Sequence, residues 1–148
     1  MTDTETRTAA DVDLIEVKLG RGSTMRVLPE HVLTHERFIA TLVERFGDSP
    51  YNWAFVCPNC GDVATGADFK AALTEHPHTL RDGEPVTASS IMGQQCIGRT
   101  LGALSGPASK WKGRGCDWAA GGLFCGPTFV QVGDHYAPSF AIAPAVSA

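Results

Sequence analysis

Cys57-Pro58-Asn59-Cys60-Gly61 places two thiols two residues apart, with a glycine directly after the second. A bent loop of this kind aims both sulfurs at one point, and the glycine lets the backbone turn back beneath a metal ion. Two further thiols, Cys96 and Cys116, lie far enough along the chain to complete a tetrahedron. The pattern predicts one zinc per chain, held by Cys57, Cys60, Cys96 and Cys116. Four thiolates leave no open coordination position for water, so a site of this type stabilises a fold and performs no reaction.

Other ligands and other thiol chemistry compete with this set. His76 and His78 follow Cys60 at a finger-like distance, and either could replace one thiolate. A one-residue gap filled by Pro77 makes that pair awkward for chelation, and two solvated loop histidines are the simpler reading. His31 and His35 stand four apart on an expected helix, but no third ligand has matching spacing. A Cys-Pro-x-Cys loop after a strand is also the pattern of thioredoxin-like oxidoreductases, in which a long helix starts at the motif. Here Gly61-Asp62 and Thr65-Gly66 interrupt such a helix at once. Cys125, beside Phe124, reads as a small buried hydrophobe. The chain has no Gly-x-Ser-x-Gly elbow, no phosphate-binding loop and no zinc-deaminase pattern. Gly20-Arg21-Gly22 is too short to bind a nucleotide. The sequence holds no positive sign of catalysis.

One surface motif stands out. The formal net charge is −4, which argues against coating nucleic acid by bulk electrostatics. Yet the stretch from Pro85 to Gly115 has no acid and carries Arg99, Lys110, Lys112 and Arg114. Within it, Lys110-Trp111-Lys112-Gly113-Arg114-Gly115 sets bases around an aromatic, a pattern that can meet phosphate and stack a nucleotide base. The simpler reading is a solvated loop whose Trp111 packs on the core.

These groups need elements to position them. The hydrophobic fraction of 43% is inflated by alanine, and 16 glycines and nine prolines make the core thin for 148 residues. A metal crosslink is one remedy for a thin core. Residues 1–12 are polar and predict a disordered tail, followed by one domain over 13–143 and a C-terminal tail over 144–148. Alternation at Ile15, Val17 and Leu19 predicts a strand, with a turn at 20–23 and a return strand over 24–28. Pro29 predicts the first turn of a helix running to Phe46 and stopped by Gly47. A strand over 52–56 should lead into the cysteine loop, with a short helix over 68–73 and a loop over 76–85. A second main helix is expected over 88–104, weakened by Gly93, Gly98 and Gly102, each costing about 1 kcal/mol relative to alanine. Gly98 and Gly102, four apart, would let another backbone approach. Residues 105–115 read as a loop and 116–124 as a short turn or helix. The end reads as a hairpin of 128–132 and 135–142, with Pro138 confining the last strand to a sheet edge. No secretory signal and no apolar run long enough to span a bilayer is seen. A cytoplasmic, reducing compartment is therefore expected, where clustered cysteines serve as metal ligands or redox groups more often than as disulfides.

Three stretches carry a family resemblance: Trp53-Ala54-Phe55-Val56 running into Cys57-Pro58-Asn59-Cys60-Gly61; Gln95-Cys96-Ile97-Gly98-Arg99; and Gly113-Arg114-Gly115-Cys116-Asp117, continuing through Ala119-Ala120 to Gly122-Leu123-Phe124 and Gly126-Pro127. Over roughly residues 48 to 132 the chain resembles a family of small bacteriophage and prophage proteins with no assigned activity. The resemblance supports grouping Cys57, Cys60, Cys96 and Cys116, leaves Cys125 outside the set, and implies a phage setting in a host cytoplasm. The expected protein is therefore a single α+β domain: a small, mostly antiparallel sheet and two main helices around one structural zinc. Its expected role is a non-catalytic interaction module, a phage accessory protein binding a host or phage protein. The alternatives are a nucleic-acid-binding zinc protein using Arg99, Lys110, Trp111, Lys112 and Arg114, and a thiol-disulfide oxidoreductase at Cys57 and Cys60. An edge strand at Tyr136 to Phe140 is a weak pointer to where another chain would pair.

Overall fold

The structure is a computed structural model, and it describes residues 13–122 and 125–145. The expected tail over 1–12 and the last residues of the expected C-terminal tail lie outside the described residues. The described residues form an α+β fold with two main helices, two short ones and three small sheets.

Strands β1 (Ile15–Lys18) and β2 (Thr24–Val27) form an antiparallel hairpin, as the alternation requires. Val17 and Leu19 are buried, whereas Ile15, at the open end, stays 38% exposed. The next segment departs from expectation. Pro29 opens only one 3-10 turn, after which β3 (Val32–Thr34) pairs parallel with β6 (Thr128–Val132). Helix α1 (His35–Phe46) starts six residues later than Pro29, because Thr34 supplies its cap: the Thr34 hydroxyl accepts the Arg37 N–H at 3.1 Å. Gly47, with φ of 92°, ends the helix where the periodicity places its end.

Strand β4 (Ala54–Val56) runs into the cysteine loop and β5 (Val63–Thr65) returns from it, antiparallel. Helix α2 (Gly66–Glu75) follows without a linker. It is held by a reciprocal cap: Asp68 N–H donates to the Thr65 hydroxyl and Thr65 N–H donates to the Asp68 carboxylate. Its buried face, Phe69 and Ala72, packs with Ala64, Ile91 and Ile97.

The expected helix over 88–104 is broken. Only α3 (Ala88–Ile91) and α4 (Ile97–Leu101) are helical. Gly93 takes φ of 78°, a conformation in which a helix cannot continue, and the chain turns there. Residues 94–96 instead pair with 118–120: Ala120 N–H donates to the Gln94 carbonyl and Cys96 N–H to the Trp118 carbonyl. Cys96 therefore sits in an extended segment just ahead of α4.

The C-terminal hairpin forms as expected between β6 and β7 (His135–Ser139), with β7 at the edge of the β3-β6-β7 sheet. The expected single strand over 135–142 is split, however. Phe140 is buried and its N–H donates to the Gly93 carbonyl at 2.7 Å, and the chain then crosses to a different sheet. There β8 (Ala141–Ile142) pairs with β4 in the order β5-β4-β8. This crossing ties both sheets to one core of Leu42, Phe55, Cys57, Cys96, Ala120 and Phe140. No helix among the described residues is long and apolar enough to cross a membrane.

Candidate metal centre

Three separate pieces of chain deliver the four predicted sulfurs. Cys57 and Cys60 come from the turn between β4 and β5. That turn is closed by Cys57 N–H to the Asp62 carbonyl at 2.9 Å and Gly61 N–H to the Cys57 carbonyl at 3.0 Å. Gly61 has φ of 81°, so the glycine after the second thiol is conformationally required. Cys96 precedes α4, and Cys116 follows the glycine-rich turn at 113–115. All four Sγ atoms lie within 4.8 Å of one another. Cys57 Sγ is 3.6 Å from Cys116 Sγ, and Cys60 Sγ is 3.7 Å from Cys96 Sγ. A tetrahedral site with zinc–sulfur bonds of about 2.3 Å has sulfur–sulfur edges of about 3.8 Å. The cluster could hold a metal ion.

Three of the sulfurs accept N–H donors. Backbone N–H groups of Asn59 and Cys60 donate to Cys57 Sγ, and those of Gly98 and Cys116 donate to Cys96 Sγ. Cys116 Sγ receives the Trp118 N–H and the Asn59 side-chain amide, the latter at 3.4 Å. Despite these donors, burial pushes the Cys57 thiol up to about 11 and raises Cys96 further. Cys116 sits below its ordinary value: burial raises it, but Asn59, Trp118 and the neighbouring thiols outweigh burial. Without a cation the two buried sulfurs keep their protons. A nucleophilic or redox-active cysteine needs the opposite arrangement. No helix begins at Cys57 either, since 58–60 form a turn and β5 follows.

Two glycines let the pieces meet. A Cβ on Gly98 would fall on the Cys116 backbone, so α4 and the Cys116 segment approach more closely than any side chain allows. Gly115, at φ of 77°, lies against Gly98 and Cys96 Sγ in the same way. The expected close approach at Gly98 is thus the contact that brings Cys96 and Cys116 together. Gly102, by contrast, ends α4 at φ of 118°.

The basic loop beside the cluster has mostly internal engagements. The Arg114 guanidinium donates to Asp62 at 2.9 Å, Asp68 at 3.3 Å and the Val63 carbonyl at 2.9 Å. It pins the Cys116 turn to β5 and α2. Arg99 donates to the Asp117 carbonyl at 2.8 Å. The Trp111 ring lies over Gly102 and Gly113, and its N–H reaches the Arg114 and Gly115 carbonyls. Lys110 and Lys112 are exposed. Sequence reasoning missed the Arg114–Asp62–Asp68 group, whose partners lie 52 and 46 residues away. It also missed Asn59, whose only sign is its position inside the Cys-x-x-Cys loop.

The remaining sulfur and imidazoles lie elsewhere. Cys125 Sγ contacts the Arg21 guanidinium at 3.4 Å and donates to the Gly122 carbonyl. His78 Nε2 is 3.1 Å from the Thr100 carbonyl, and His31, His35 and His76 are exposed. The only group of three or more potential ligands among the described residues is the four-cysteine cluster.

The fold and this centre define a small α+β protein organised around a cysteine cluster that could hold one metal ion. A family model described as VVA0879-like matches residues 34–143, and the chain belongs to that family. All four cysteines of the cluster lie inside the matched region. The description carries no activity. No curated protein and no solved structure matches the chain.

Proposed function

We propose that Cys57, Cys60, Cys96 and Cys116 hold one structural zinc, and that the protein is a non-catalytic, zinc-stabilised interaction module. The observation that carries this reading is the set of four sulfurs, from three pieces of chain, gathered within 4.8 Å, with N–H donors on three of them. When bound, zinc supplies positive charge that keeps all four sulfurs as thiolates and joins the three pieces. The chain's part is to orient the sulfurs through Gly61, Gly98 and Gly115 and to shield two of them from water. In the setting that the family resemblance implies, the partner is a host or phage protein in the bacterial cytoplasm. The nucleic-acid alternative is less favoured, because Arg99 and Arg114 already hold protein oxygens.

The test is native and denaturing mass spectrometry of protein purified without added metal or reductant, with elemental analysis. One zinc per chain and five reduced thiols is the expected result. Iron in its place would correct the metal while keeping the site, since four thiolates also suit iron. A metal-free, folded chain carrying a disulfide at Cys57 or Cys60 would overturn the reading.

A further inference from the structure

Away from the cysteines, α2 and the 87–92 segment meet at Ile91 but leave a gap beside that contact. Between them, with the Pro50–Asn52 turn as a third wall, lies an open cleft of about 530 Å³. That volume falls in the range of small-ligand pockets, roughly 300–1,000 Å³. None of the four clustered cysteines lines it, so its existence does not depend on the metal reading. The floor is apolar, made of Pro50, Leu73, Val86, Ala88 and Met92. The one charged group stands on one side. Lys70 Nζ lies 3.3 Å from the Tyr51 hydroxyl and 5.0 Å from the centre of the Tyr51 ring. Ser89 and Thr87 add hydroxyls at the other wall.

The charge pattern selects the ligand. Lys70 is the only ionisable side chain other than the Tyr51 phenol among the lining residues, and no carboxylate lines the cleft. No salt bridge to Lys70 occurs among the described residues, so its ammonium has only the phenol as a charge-compatible neighbour. An apolar floor with one cation at its rim is complementary to a molecule with an apolar body and one negative end. A doubly charged phosphate would leave half its charge unmatched, and a cation would meet Lys70.

We propose that the cleft between α2 and residues 87–92 binds a small amphipathic monocarboxylate, its apolar body on Leu73, Val86 and Met92 and its carboxylate at Lys70 and Tyr51. Gly66 supports this geometry. A Cβ there would strike the Pro50 carbonyl, so the start of α2 and the Pro50–Asn52 turn are packed hard together and that wall is fixed.

The test uses 2-naphthoate as the probe, followed by amide chemical shifts in the full-length, metal-replete protein. Its neutral analogue 2-naphthalenemethanol and the cationic 2-naphthylmethylamine serve as comparisons. Saturable shifts confined to residues 50–51, 66–74 and 86–92 are expected, with the naphthoate bound about fivefold more tightly than the alcohol and the amine weakest. Lys70 is solvent-exposed, so Lys70→Gln should fold normally and reduce naphthoate affinity to that of the alcohol. Shifts spread over the whole surface, no saturation, or equal affinity for all three probes would overturn the proposal. An unchanged naphthoate affinity in Lys70→Gln would do the same. Because the protein stays metal-replete, failure here leaves the four-cysteine reading untouched.

Discussion

Gly98→Ala separates two opposing rules. Gly98 lies inside α4, and by helix propensity alone the alanine should stabilise by about 1 kcal/mol. Its backbone φ is not in the left-handed region, so no conformational penalty opposes the change. Packing gives the opposite sign. The added Cβ would land on the backbone of Cys116 and within 2.8 Å of the Gly115 carbonyl carbon, and backbone cannot swing aside as a side chain can. Overpacking of a dense site costs about 1–3 kcal/mol, and a contact with rigid main chain belongs at the upper end. The net expectation is a destabilisation of about 2 kcal/mol, in which steric overlap outweighs propensity. The same displacement moves Cys116 Sγ away from the other sulfurs, so metal retention should weaken as well. Thermal unfolding followed by circular dichroism and zinc release to a chromophoric chelator measure the two effects. Gly106→Ala is the control, since a Cβ there meets nothing within 4 Å. It should change stability by less than about 0.5 kcal/mol. If Gly98→Ala unfolds at or above the wild-type temperature and holds zinc equally well, the close approach of α4 to Cys116 is not what assembles the cluster.

Further outcomes are expected from other perturbations. Serine at Cys57, Cys60, Cys96 or Cys116 should abolish stoichiometric zinc in elemental analysis and promote aggregation, whereas Cys125→Ser should keep both metal and solubility. Stripping the metal with a strong chelator should collapse the near-ultraviolet signal of Trp53, Trp111 and Trp118, and zinc alone should restore it. Asp68 should produce an acid-side stability change. Burial raises its carboxyl, but the Thr65 N–H and Arg114 outweigh burial and hold it below the usual value. A lowered folded-state value stabilises fully above the unfolded value of about 3.9 and is lost as pH falls through the folded value. Wild type should therefore exceed Asp68→Asn at pH 7 in denaturant titrations, by no more than about 0.5–1 kcal/mol because solvent screens this 38% exposed carboxylate, and the gap should narrow below pH 4.

Local chemistry was the most legible part of this sequence. The Cys-x-x-Cys-Gly loop, the Gly47 stop and the β6–β7 turn each depend on neighbouring residues alone, and each formed where its residues indicated. The four sulfurs also converged as the spacing suggested, although nothing local places Cys96 next to Cys116. What failed were segments decided by distant partners. Val32 to Thr34 carries helical spacing, yet β6, almost a hundred residues later, recruits it into a sheet. The 88–104 stretch reads as a weak helix, but residues 118–120 offer 94–96 a better set of hydrogen bonds once Gly93 has turned the chain. Arg114 looked like a surface base because its carboxylates lie across β5 and α2. The cleft beside Lys70 had no signature, since it is a gap between elements and no residue type announces a gap.

The chain between Cys96 and Cys116 leaves the cluster and returns to it, and the outer part of that excursion is the exposed stretch of 104–110. A protease that cuts there would sever the polypeptide without separating the particle. The two fragments would still share the β3–β6 and β4–β8 pairings and one core, so they should migrate as one species under native conditions and as two only on denaturation. A nick there would open the backbone while leaving the non-covalent ties between the two fragments in place.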